Sequence, residues 1–169
     1  CKRKFLIIKK MHFSLAPLVS KSSRYIVGTV ASGSVPAFLV NTNDDWYQTL
    51  EKPSWNPPSY VFPIVWTVLN VLIGTSASLA VPGNKAALDA FLLNRVLSIS
   101  WTPVFFVNKN LGGATFLSRV LIVSTVYMMK TFSHSGLAVR LLVPYLVWLI
   151  CASALASRIE KLNTYWELR

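Results

Sequence analysis

The sequence predicts an all-α membrane protein, a bundle of five transmembrane helices. Three observations predict it. Apolar residues make up 53% of the 169, and mean hydropathy is +0.49. Charged residues are only 14%, well under the roughly 25% of soluble domains. Five apolar runs follow one another closely, and a membrane helix needs about 20 such residues. So closely spaced a set reads as one domain.

The runs cover 24–40, 59–81, 86–107, 112–132 and 139–159. The first is short and interrupted by Pro36. The second is the cleanest, since no Asp, Glu, Lys or Arg occurs from Pro53 to Val81. The third carries Asp89 and Arg95, and the fourth carries Arg119. The fifth is uncharged from Leu141 to Ser157. Short joins separate the last four, and Pro82-Gly83 is a strong turn signal. The spanning domain is therefore expected over 24–163, with a tail over 164–169. Only the join from Asn41 to Pro58 is long, and its Trp and Pro content argues against disorder.

The net charge of +11 does not describe the body of the chain. Seven of the seventeen basic residues precede Tyr25. Residues 1–23 hold no acid and read either as a targeting extension or as a disordered basic tail near anionic lipid. The sequence opens on Cys1, which makes Met11 a candidate start. Elsewhere basic residues sit at the ends of apolar runs, which excludes a nucleic-acid interface. Their excess on the N-terminal side favours a cytosolic N-terminus.

No catalytic or metal-ligating constellation stands out. Cys1, Cys151, His12 and His134 have no ligand spacing, and Cys151 reads as a small packed residue. Asp44, Asp45 and Glu51 read as solvated or capping groups. The most informative stretch is 46–66, with three tryptophans and four prolines before and inside the cleanest run. Trp favours the water–lipid boundary, and Pro fixes irregular chain.

Helical spacing groups some residues on common faces. Trp66, Asn70 and Gly74 share one, and Trp148, Ala152 and Leu155 share another. Trp101 and Phe105 form a shorter stripe, with Pro103 bending the helix between them. Trp with small neighbours suits a cavity for a flat apolar ligand, and it suits ordinary helix packing too. The pairs Gly28/Ser32, Gly74/Ser78 and Ala152/Ala156 allow close approach, within the bundle or across a dimer seam. Arg119 has two readings: snorkelling to the interface, or facing the cavity to meet a ligand carboxylate.

Four motifs then carry a resemblance. They are W-Y-x-x-L-x-K-P-S-W-x-P-P from Trp46, V-F-P-x-V-W-T-V-L from Val61, W-T-P-x-F-F from Trp101 and L-L-V-P-Y-L-V-W from Leu141. In this order and spacing the chain resembles the translocator protein family over Tyr25–Asn163. Its bacterial members are called tryptophan-rich sensory proteins. The resemblance implies five transmembrane helices, often a homodimer, with the long first loop acting as a lid over an intrahelical cavity. It implies porphyrin ligands such as protoporphyrin IX and haem, possible sterol or benzodiazepine-type ligands, and no obligatory cofactor. Carried over, the cavity uses Trp46, Pro57 and Pro58 from the loop, then Trp66, Trp101, Trp148, Ala152 and Leu155. Asn70 joins them by its helical face.

The sequence also departs from the family. Ser98 stands where an Asn is common, and Leu117 or Ser118 stands where an acid is common, with Arg119 beside it. Ala156 and Ser157 replace the Asn and Tyr of the sterol-associated segment, although Lys161 keeps a basic residue.

The expectation is a multi-pass receptor or translocator for tetrapyrroles. Arg119 or loop amides are the candidate propionate contacts. The alternatives are a light-dependent porphyrin-degrading protein and a scaffold for partner proteins. The mitochondrial outer membrane is the first expected location, ahead of the endoplasmic reticulum or a bacterial membrane.

Overall fold

The computed structural model describes residues 23–35, 40 and 44–164. Among these, every regular element is helical. Helix α1 covers 23–34, and the short α2 covers Asp45–Thr49. Four long helices follow: α3 (Val61–Ala80), α4 (Lys85–Thr102), α5 (Leu111–Thr131) and α6 (Gly136–Thr164). A π-helical turn, Pro103–Val107, extends α4. By length and composition α3, α4 with its extension, α5 and α6 can each cross a bilayer. The first expected span, 24–40, is helical over 24–34, and its residues 36–39 lie outside the described ones. So do residues 1–22 and 165–169, which hold nearly all of both expected tails.

Local chemistry sets the helix ends. Asn84 Oδ1 accepts from the Ala87 N–H at 3.0 Å and starts α4. Asn110 Oδ1 accepts from the Gly113 N–H at 2.7 Å and starts α5. Each satisfies one N–H that a helix start leaves without an internal partner. Gly83 takes φ +79° in the turn between α3 and α4, a left-handed conformation that glycine adopts readily. Pro103 drives the change to π geometry: the Asn108 N–H reaches back to the Pro103 carbonyl at 2.9 Å. Helix α6 begins at Gly136 and continues to Thr164, beyond the apolar run at both ends.

The main packing partners are α3 with α6, α6 with α5, and α5 with α4. Helices α3 and α4 are joined by a tight turn yet touch little. Helix α1 contacts both. Tyr25 meets Phe91 of α4 edge-on, with ring centroids 6.2 Å apart. A Cβ at Gly74 of α3 would fall 2.6 Å from the Ile26 Cα, so the two backbones are almost in contact. A Cβ at Gly33 would collide with the Asn70 amide. Gly74 thus serves packing inside the bundle, whereas Gly28 faces open space.

Polarity is distributed as lipid requires. The outward faces carry Ile64, Val68, Leu92, Val96, Phe116, Val123, Val147 and Ile150, all exposed. The interior carries Asn70, Asn94, Arg95, Ser124 and Thr125 alongside Ile73, Met128 and Tyr145. Cys151 departs from the expectation of a packed residue: it is exposed on the outer face of α6. An apolar run on a lipid-facing helix does not distinguish inward from outward positions.

Replacing Gly74 with Val should push α1 away from α3. Overpacking of this kind costs roughly 1–3 kcal/mol. Thermal unfolding in detergent should show a lowered midpoint; an unchanged midpoint would mean that the α1–α3 contact is not held at Gly74.

Candidate functional site

Aromatic side chains gather at two levels of the bundle. At the inner level the i, i+4 face of α3 points Trp66 at Tyr145 of α6, with centroids 6.2 Å apart and planes at 66°. Tyr145 is fully buried. One turn further along α6, Trp148 meets Phe62 edge-on at 6.0 Å. The buried Trp148 Nε1 has no hydrogen-bond partner.

At the outer level Phe105 is the hub. Trp101 stacks on it at 5.0 Å with only 12° between planes. Trp46 and Tyr47 of α2 meet it edge-on at 5.7 and 6.5 Å. The Trp101 indole N–H is held by the Ala114 carbonyl at 3.0 Å and the Ser118 hydroxyl at 2.9 Å. Leu50, Leu155 and Ile159 close the apolar cluster, with Phe62 packed against it. Phe62 therefore touches both levels.

The first loop is tied down at this end. Asp44 caps α2 by accepting from the Trp46 N–H at 2.8 Å. The side chain of Asn163 at the end of α6 accepts from the Glu51 N–H at 2.9 Å and donates to the Glu51 carbonyl at 3.0 Å. The Lys52 ammonium donates to the Tyr47 carbonyl at 2.6 Å and lies over the Tyr47 ring. Lys109 meets Asp44 at 3.4 Å and lies over the Trp46 ring at 5.3 Å. Burial pushes the Tyr47 hydroxyl above its ordinary range and the Lys52 ammonium below its own. Trp55 stays exposed, as an interfacial anchor would.

The residues singled out in the sequence thus divide. Trp66 and Trp148 belong to the inner level; Trp46, Trp101 and Leu155 belong to the outer one. Ala152 is half-buried between Trp148 and Leu155 on the same α6 face. Pro57 is half-buried and Pro58 exposed, and the Pro58 carbonyl accepts from the Val61 N–H as α3 begins. Asn70 is buried, with its Oδ1 unpartnered.

Arg119 does not join this set. It is exposed, and its guanidinium reaches the Ser157 hydroxyl at 3.4 Å. Ser157 is nine residues past Trp148, about 180° around α6. The carboxylate contact considered for Arg119 therefore has no support in its position.

Tyr145, Phe62 and the hub role of Phe105 escaped the sequence reading. The signal for Tyr145 was present: it precedes Trp148 by three residues, on a neighbouring part of the same face.

Among the described residues no group of three His, Cys, Asp or Glu is placed to hold a metal. Their one histidine, His134, lies at the ends of α3 and α5, its ring nitrogens each 3.1 Å from an accepting carbonyl, Thr131 for Nδ1 and Ala80 for Nε2.

The model of the TspO/MBR family matches residues 25–162. The chain belongs to that family. A tryptophan-rich sensory protein of Cereibacter sphaeroides is 36% identical over 123 residues, covering 71% of this chain and 78% of the relative. Protein CrtK of Rhodobacter capsulatus is 32% identical over 146 residues, covering 82% and 90%. The translocator protein of Homo sapiens is 34% identical over 132 residues, covering 72% and 77%. With four apolar helices and this family membership, the chain is a multi-pass integral membrane protein.

Asn163→Ala removes both bonds between this side chain and the Glu51 backbone. Two such bonds contribute roughly 1–3 kcal/mol together. Hydrogen exchange should rise across residues 45–52 and stay unchanged in α4 and α5; equal protection of the loop in the variant would contradict this anchoring.

Proposed function

We propose that this protein is a membrane receptor or translocator for tetrapyrroles such as protoporphyrin IX and haem. The observation that carries the reading is the run of rings from Trp66 and Tyr145, through Trp148 and Phe62, to Trp101, Phe105 and Trp46. A flat apolar macrocycle gains from burial at about 25 cal/mol per Å². Each well-placed aromatic contact adds roughly 0.5–1.5 kcal/mol. Membership of a family whose relatives include a tryptophan-rich sensory protein and a translocator protein supports the same reading.

The first loop is the lid in this proposal. Its fastening to Asn163 and Lys109 places Trp46 against the rings of α4, so opening it would uncover that end of the bundle. Affinity comes from ring surface rather than iron ligation, so metal-free protoporphyrin should bind about as well as haem. The bilayer covers the exposed apolar faces. A homodimer, in the mitochondrial outer membrane, is the proposed assembly and location, the latter favoured by the basic N-terminal stretch.

Quenching of tryptophan fluorescence by protoporphyrin IX tests the site on purified protein. Replacing Trp66 and Trp148 together with Leu should weaken binding at least tenfold, about 1.4 kcal/mol or more. Arg119→Ala should leave affinity within twofold. Unchanged binding in the double variant would remove these helices from the site.

A further inference from the structure

Arg95 has no role in the account so far, yet its position is the most demanding in the bundle. It lies ten residues after Lys85, about 15 Å along α4 and near the middle of a bilayer. It is only 6% exposed. Its Nε and Nη1 have no hydrogen-bond partner. Among the described residues no ion pair to it forms; the acid nearest in sequence, Asp89, is paired with Lys85 at 2.7 Å. A guanidinium at this depth needs a carboxylate or a set of acceptors to be tolerated.

Of the four other described residues that keep buried polar atoms without partners (Thr29, Asn70, Thr115 and Trp148), the first two lie on helices beside Arg95. Thr29 Oγ1 on α1 and Asn70 Oδ1 on α3 are both unpartnered, in residues 2% and 4% exposed. The contacts of α1 place all three in one seam. Tyr25 meets Phe91. Thr29 is one turn past Tyr25, and Arg95 is one turn past Phe91. Helix α1 runs against α3, since Ile26 meets Gly74 while Gly33 meets Asn70. The tight turn after Val81 makes α4 run against α3 as well, so α1 and α4 run the same way. Thr29 and Arg95 therefore stand at the same level, with Asn70 one turn or less away. This is the gap between α3 and α4, which touch each other little.

We propose that Arg95, Thr29 and Asn70 form a buried carboxylate-binding site between α1, α3 and α4, which takes the acid group of an amphipathic ligand. The guanidinium fork matches a carboxylate through two parallel hydrogen bonds. The Thr29 hydroxyl donates to the same group, and Asn70 Oδ1 accepts a remaining guanidinium N–H. Mid-bilayer depth excludes a lipid phosphate and selects a carboxylate on an apolar body. Arg95 directly follows Asn94, whose Oδ1 accepts from the hydroxyl of Tyr145 at 3.1 Å, and the Tyr145 ring faces Trp66. A carboxylate held at Arg95 thus leaves its apolar body beside the inner rings. Taking that carboxylate to be a tetrapyrrole propionate rests on the function proposed above. A fatty acid from the bilayer offers the same chemistry.

The test compares acid with ester on the full chain in detergent, by fluorescence quenching for porphyrins and by competition for fatty acids. Wild-type protein should bind protoporphyrin IX at least tenfold more tightly than its dimethyl ester. Arg95→Met should bring the acid down to the affinity of the ester and leave the ester within twofold. Thr29→Val, nearly isosteric, should weaken the acid about threefold and spare the ester. Equal binding of acid and ester by the wild type overturns the site without any variant, and so does an acid preference that both variants retain. If neither porphyrin binds, the tetrapyrrole reading falls and the site is judged on oleate against methyl oleate. An oleate preference lost in the Arg95 and Thr29 variants then sustains the carboxylate site, and no preference overturns it.

Discussion

Asn94 holds the centre of this bundle. Its amide donates to Ser124 Oγ at 2.8 Å and to Thr125 Oγ1 at 2.9 Å, and its oxygen accepts from the Tyr145 hydroxyl at 3.1 Å. Both α5 hydroxyls in turn donate to the Leu121 carbonyl. One side chain thereby ties α4 to α5 and α6. In lipid the hydrophobic effect does not drive helices together, so packing and such interhelical bonds set the arrangement. The tie also fixes Tyr145, and through Tyr145 the ring against which Trp66 packs. The geometry of the inner ring level follows from a polar contact one helix away.

Elsewhere in the interior, polar groups are treated differently. Ser76 bonds the Ala138 carbonyl at 2.7 Å and joins α3 to α6. Thr29, Asn70, Arg95, Thr115 and Trp148 instead keep buried atoms without partners. The satisfied groups lie where α4 meets α5 and α6 and where α3 meets α6, and three of the five unsatisfied residues border the gap filled by α1. Buried polar atoms left unpaired oppose folding. The three on one side are the ground for the proposed carboxylate site, where stability would be given up locally for recognition. The two ring levels, the fastened loop and this seam are joined by the proposed function, in which the rings receive a flat apolar body and the seam its acid.

The sequence made the helices legible because lipid imposes length and composition on each span. Four of the five runs fall close to the helices that carry them. The faces shared by Trp66, Asn70 and Gly74 and by Trp148, Ala152 and Leu155 were visible in spacing alone. What spacing did not reveal was which faces turn inward. Helices apolar all round give little contrast between core and lipid, so Cys151 seemed packed, and Tyr145 passed unnoticed. The two arginines show the same limit. Arg119 drew attention as the charge deep in a run, yet it is exposed beside Ser157. Arg95, near the start of its run and close to Asp89, looked ordinary and is the buried one. Only the packing of α1 against α3 and α4 separates them.

The central claim is that the Asn94–Tyr145 bond couples α4 to α6 and so positions the inner rings. A double-mutant cycle of Asn94→Ala and Tyr145→Phe, read by reversible unfolding in detergent, tests it most directly. The account predicts a coupling free energy of roughly 0.5–2 kcal/mol, the range of interhelical hydrogen bonds in membranes. Strictly additive effects of the two substitutions would contradict it.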